Sequence, residues 1–193
     1  MISNSLMSIP TKKHSTIGCC GIDCGLCPRF YTKGDSACPG CGGLNFKDKH
    51  PSCGILTCCV IKHEIEVCSA CEEYPCKRFE SEKNGYDSFV SHRKIFINLD
   101  SIKENGMDCF IAQQKLRIEI LTNFITKHDD GRSKNYFCLS CTLLPLDKLK
   151  ETHEFINNNQ NKNLAITERN KLLKKNLQLL ADNLNIELKL KKK

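Results

Sequence analysis

The chain has no tryptophan and only four tyrosines among its 193 residues, so few aromatic platforms exist for stacking on nucleobases. No stretch approaches 18 consecutive apolar residues, which excludes a membrane-crossing helix. A secretory leader runs from basic to apolar, but Met1 to Pro10 is interrupted by Ser3, Asn4, Ser5 and Ser8 and its lysines come afterwards. Glycine-rich phosphate loops, serine-nucleophile motifs and paired acid/base arrangements are also missing, so the sequence favours a non-catalytic role over an enzyme. Between residues 19 and 76 only eleven positions are Val, Ile, Leu or Phe. Such a segment cannot offset an ordering cost of about 1.5 kcal/mol per residue with apolar burial alone.

What that segment has instead is sulfur. Twelve of the fifteen cysteines lie there, at positions 19, 20, 24, 27, 38, 41, 53, 58, 59, 68, 71 and 76. A chain without a secretory leader is expected in the cytoplasm, where thiols stay reduced and dense cysteines point to metal rather than disulfides. The odd total also forbids complete pairing. Two-residue spacers in Cys24/Cys27, Cys38/Cys41 and Cys68/Cys71 let neighbouring thiolates grip one ion. Cys20, with Cys24 and Cys27, adds a third thiol to the first pair, and Cys76, with Cys68 and Cys71, adds one to the last. These eight thiols fill two tetrahedral zinc sites, and Cys53 with Cys58 or Cys59 completes a third or replaces a member. Structural zinc contributes on the order of 10 kcal/mol per site in small peptides, enough to order the segment.

The order Cys20-Gly21-x-x-Cys24-x-x-Cys27-Pro28, then Cys38-Pro39-Gly40-Cys41, a central pair, and Cys68-x-x-Cys71-x-x-Tyr74-Pro75-Cys76 resembles the cysteine-rich family called domain of unknown function 3795. The similarity spans about residues 17 to 80, with weaker echoes in Asp130-Gly131-Arg132-Ser133 and Leu143-Leu144-Pro145. It implies zinc binding through Cys20, Cys24, Cys27, Cys38, Cys41, Cys53, Cys68, Cys71 and Cys76. The family has one cysteine where this chain has Cys58-Cys59: spacing from Cys53 selects Cys58, and spacing to Cys68 selects Cys59. The resemblance brings no reaction with it.

Iron–sulfur chemistry is the rival expectation, because cysteine–proline junctions such as Cys27-Pro28 and Cys38-Pro39 also occur in ferredoxins. The close four-cysteine ferredoxin spacing is absent, and the radical S-adenosylmethionine reading of Cys20, Cys24 and Cys27 lacks the strands of the required barrel. Cys138 and Cys141 form an isolated pair whose apolar flanks place it in a core. His50 and His63 read as exposed histidines rather than ligands, and Asp23, Glu72 and Glu73 as exposed acids. An almost all-sulfur donor set favours closed structural sites over an open catalytic one.

The expected fold class is α+β, mostly α: a disordered stretch at 1–16, a small irregular zinc-stapled module at 17–80, and a helical region at 81–193. Helices are expected near 56–66, 88–99, 108–127, 145–156 and 167–184, an apolar run lies at 136–144, and Ile186 to Leu190 alternate as a short strand. The formal charge of +7 is concentrated late, where residues 148–193 hold eleven Lys or Arg against five Asp or Glu. A solvated helix face explains this, and a nucleic-acid or acidic-protein partner is the functional alternative. The sequence thus predicts structural zinc supporting a recognition surface for an unidentified protein or nucleic acid, away from membranes.

Overall fold

A computed structural model describes residues 11–158 and 164–192, and among these the protein is mostly helical with no β-strand. The front is built from turns. Residues 12–16, expected to be disordered, are instead laid against it: Lys12 N donates to Gly42 O (2.9 Å), Cys41 N to Ser15 O (2.8 Å) and Gly25 N to Thr16 O (2.7 Å). A short polar segment orders because its backbone supplies the acceptors that the cysteine turns lack. Residues 1–10 lie outside the described part. Gly40 has φ +83°, and a Cβ there would strike the Ser15 carbonyl. Gly21 (φ +90°) is likewise closed in by the Ile95 carbonyl, which gives both motif glycines a steric reason.

The helix expected over 56–66 is shorter and wider. A single turn at Gly54–Leu56 passes into a π-type turn at Thr57–Lys62, and Glu64 then takes a left-handed φ of 52°. This reversal brings Val67 into the core and lets Cys68 N reach Cys19 O at 2.8 Å. Cys59, His63 and Val67 therefore do not share one helical face.

The rear consists of five helices: α1 (Ile95–Asn105), α2 (Met107–His128), α3 (Lys134–Leu143), α4 (Leu146–Asn158) and α5 (Ile166–Asn183). α1 starts later than the sequence pattern suggests. The Asp87 carboxylate accepts from His92 N (2.8 Å) and Ser91 Oγ (3.1 Å), a local side-chain turn that competes with helix over 88–94. Gly106, at φ +84°, separates α1 from α2, and the Asp129 carboxylate closes α2 by accepting from Gly131 N and Ser133 N. α3 is buried from Phe137 through Leu143, as a helix apolar on all sides must be. Pro145 prevents its continuation.

α2 is the spine, packing on α1, α3, α4, α5 and the turn Cys24–Leu26. The main core gathers Ile120, Leu121 and Phe124 of α2, Phe137 of α3, Leu149 of α4 and Leu173 and Leu177 of α5, and it receives Leu26 from the front. A second cluster joins Ile17, Val67 and Phe79 to Ile95, Leu99 and Ile102. The two regions thus share apolar contacts in both clusters. The strand expected at 186–190 is absent among the described residues. The Glu187 and Lys189 carbonyls there are taken by the Arg93 guanidinium at 2.8 and 2.9 Å, and Lys191 N is bonded to Asp87, so the tail docks as an extended strap without a neighbouring strand.

Candidate metal centre

Four thiols from four separate turns meet beneath the front surface. Cys41 Sγ lies 3.8 Å from Cys19 Sγ, and the Cys19 amide points at Cys41 Sγ from 3.5 Å. Cys19 in turn contacts the Cys59 thiol, and Cys59 contacts Cys68. Cys59 Sγ also donates to Ile65 O at 3.1 Å. Cys19 and Cys59 are 1% and 2% exposed, packed with Phe46, Leu56 and Val60. For ligand bonds of about 2.3 Å, a tetrahedron around one ion has sulfur–sulfur edges of about 3.8 Å, the spacing found between Cys19 and Cys41. Among the described residues, however, no three or more His, Cys, Asp or Glu side chains close around a single ion position. The thiols form a chain of neighbours rather than a finished cage.

Cys19 is absent from the residues picked out by spacing and by the family resemblance. Its adjacency to Cys20 hid it: Cys19 points to Cys41 and Cys59, while Cys20 packs against the cluster of Ile17, Val67 and Phe79. Lys12 was also missed. This lysine is only 5% exposed, donates from Nζ to Ile17 O at 2.7 Å, and by its charge partly opposes the rise in thiol pKa at Cys19, Cys41 and Cys59. A buried cation set against sulfur from a disregarded polar segment has no local sequence signature.

The remaining candidates are distributed around this chain. Cys20 and Cys24 lie near Cys41, and Cys20 also lies near Cys53. Cys27 has Cys38 beside it and receives the amides of Arg29 and Phe30 on its sulfur, the N–H to sulfur pattern that steadies a thiolate. Cys53 packs beside Cys41 and Cys68. Of the adjacent pair, Cys59 belongs to the chain of four and Cys58 does not. Cys71 is half-buried at the end of the Cys68–Ala70 turn. His63 is exposed, and His50 stacks on Phe46 at 4.6 Å between centroids.

Electrostatics explain why the thiols alone are an unfinished arrangement. At Cys19 the Cys41 contact favours the thiolate, but the Cys59 contact and burial outweigh it and push the thiol up to about 12. Burial pushes Cys20 up to about 12 and Cys24 well above the ordinary thiol value. Cys41 is raised first by its contact with Cys19 and then by burial. A divalent ion reverses this balance, because a coordinating thiol is deprotonated outright. The donor set and its buried lysine therefore fit a thiolate-bound cation.

Asp23, expected as an exposed acid, is 6% exposed and accepts from Gln114 Nε2 (2.8 Å) and Asn98 Nδ2 (2.9 Å). The loop between Cys20 and Cys24 is thereby tied to α1 and α2. Cys138 and Cys141 are 2% and 0% exposed within the main core, as their apolar flanks predicted. Glu82, His92 and Ser88 are aligned, with His92 Nδ1 2.7 Å from Glu82 Oε2 and Nε2 2.9 Å from Ser88 Oγ. The Ser88 and His92 amides are spent on Val90 O and Asp87 rather than offered to an oxyanion, so this network pins the loop that receives the C-terminal strap. Comparisons with family models, curated proteins and solved structures give no match for this chain.

Proposed function

We propose that the protein binds zinc through thiolates of its front module and that the bound ion holds a recognition surface for a protein or nucleic-acid partner. The observation that carries this reading is the run of neighbouring thiols Cys41–Cys19–Cys59–Cys68, drawn from four separate turns, with Cys19 and Cys59 buried and the charge of Lys12 acting on the first three. Burial raises the cost of ionising Cys19, Cys41 and Cys59 without a cation beside them. A soft divalent ion turns that cost into bonding. Cys20, Cys24, Cys27, Cys38, Cys53, Cys71 and Cys76 supply donors for one or two further ions. The module resembles domain of unknown function 3795 in the same cysteines.

The ion's role is structural: an all-sulfur set leaves no open position for water or substrate. Surface for a partner is present at Leu44, 73% exposed beside the Cys41 turn, and at Ile61, 40% exposed on the turn carrying Cys59. Lys171, Lys174 and Lys175 face outward from α5 and offer a basic face to an acidic partner. Among the described residues no helix is long and apolar enough to cross a membrane. Reduced thiols suit the cytoplasm.

Elemental analysis of gently purified, untagged protein tests the reading. Colourless protein with stoichiometric zinc is the expected result. Brown protein with iron and sulfide would establish the iron–sulfur alternative, and folded, ion-free protein would overturn both.

A further inference from the structure

A cavity of about 120 Å³ opens where α1 and α2 meet the Cys20–Cys24 loop, walled by Asp23, Lys94, Asn98, Ser101, Gln114 and Arg117 among others. Its hydrogen-bonding is lopsided. Gln114 Nε2 spends both hydrogens, on Thr16 O (2.9 Å) and Asp23 Oδ1 (2.8 Å). Asn98 Nδ2 does the same with Gly21 O and Asp23 Oδ2, both at 2.9 Å. Both oxygens of the one carboxylate in the wall are thus served by amides.

The donors left over are not taken up by protein acceptors and open towards solvent. Lys94, half-buried, makes no hydrogen bond or ion pair through its ammonium among the described residues. Arg117 uses one guanidinium nitrogen, donating to Cys141 O and Leu144 O at 2.7 Å each, and retains the other N–H groups of its fork. The Ser101 hydroxyl lies at the same wall. Lys94 and Arg117 also repel one another, and burial together with that repulsion draws the Lys94 pKa below its ordinary value. Within the wall two cations stand against one amide-covered carboxylate, with Asp147 outside it acting on Arg117. Cationic donors that the protein leaves unused at a partly enclosed wall suit an anion as acceptor, and a space well under the roughly 300 Å³ of ordinary ligand pockets suits a small one.

We propose that this cavity binds a small oxyanion, a carboxylate or inorganic oxyanion of about acetate or phosphate size, held by Lys94 Nζ and the Arg117 guanidinium with the Ser101 hydroxyl in support. The site stands independently of metal in the thiol cluster. Because Asp23 and Gln114 also hold the Cys20–Cys24 loop and Thr16, occupancy stiffens the joint between front and rear.

The test is an NMR titration of the full chain, as purified, with sodium acetate or sodium phosphate replacing sodium chloride at constant ionic strength. Saturable shifts of the Asn98 and Gln114 side-chain amides are expected. Lys94→Met, which deletes an ammonium without a partner, is expected to weaken the apparent affinity about tenfold or more while the fold persists. Lys94→Arg is expected to retain binding, and Ser101→Ala to weaken it less. Shifts that grow linearly without saturation, or an unchanged curve in Lys94→Met, would overturn the proposal. Should Lys94→Met fail to fold, an unchanged curve in Ser101→Ala together with non-saturating wild-type shifts would do the same.

Discussion

In the helical rear, Leu121, Phe124, Phe137 and Leu173 are fully buried within a cluster of thirteen side chains, whereas the cluster under the front surface has five, two of them Cys19 and Cys59. The rear closes its core mainly with hydrocarbon, Cys138 and Cys141 being two thiols among eleven apolar side chains, and with the periodicity of its helices. The front has turns in place of periodic elements and thiols in place of leucines. Stability in the first case scales with apolar area; in the second, on the proposed reading, it depends on an ion held by the sulfur atoms.

Breaking that contrast begins at Cys59. Cys59→Ser removes the middle of the thiol chain, and because a structural site is worth on the order of 10 kcal/mol in small peptides, the front is expected to lose its order and its zinc. Cys58→Ser is expected to leave both unchanged, and zinc stoichiometry with thermal unfolding of the two variants side by side measures the difference. Phe124→Ala, which empties a site against Phe137 and His153, is expected to cost about 3–5 kcal/mol in urea unfolding. That loss should be the same with and without added zinc, whereas the Cys59→Ser loss should not.

The joint between the regions sharpens the comparison at a smaller scale. Asp23→Asn sets an amide donor against the Asn98 or Gln114 amide where a carboxylate oxygen had accepted, and about 1–3 kcal/mol of stability should go with it. A selective gain in proteolysis of the front, with the helices resistant, is the expected signature. The smallest effect belongs to the rear. Burial holds the His128 and His153 pKa values below the ordinary value of about 6.5, and His128 Nδ1 has no hydrogen-bond partner. The folded state therefore favours neutral imidazole, while the unfolded chain takes up protons as pH falls through about 6.5. The contribution is complete above that pH and is lost below it towards the folded-state pKa. Thermal midpoints at pH 7.5 and 5.5 should differ less in His153→Gln than in the wild type.

What could be read beforehand follows the same division. α2 and α5 are legible because Ile118, Leu121 and Ile125, and then Leu173, Leu177 and Leu180, repeat at helical spacing, whereas α4 is marked by Pro145 at its first turn. In the front, spacing found the cysteine pairs but not their partners: contacts such as Cys19 to Cys41 and Cys59 to Cys68 join different turns and have no period. Cys19 was passed over because it falls outside any two-residue spacer. Lys12 falls in the stretch expected to be disordered and Asp23 reads as an exposed acid, and only the fold shows the sulfur and amides around them. The alternation from Ile186 to Leu190 suggested a strand, but Arg93 takes its carbonyls, an interaction between residues about 95 apart in the chain.

The most direct measurement is amide hydrogen exchange of the purified protein before and after treatment with a strong chelator. If a thiolate-bound ion holds the front, the amides of Cys41 and Cys68, bonded to Ser15 O and Cys19 O, should lose protection on chelation while those of α2 and α3 keep theirs. Unchanged protection at Cys41 and Cys68 in protein verified to be ion-free would contradict it.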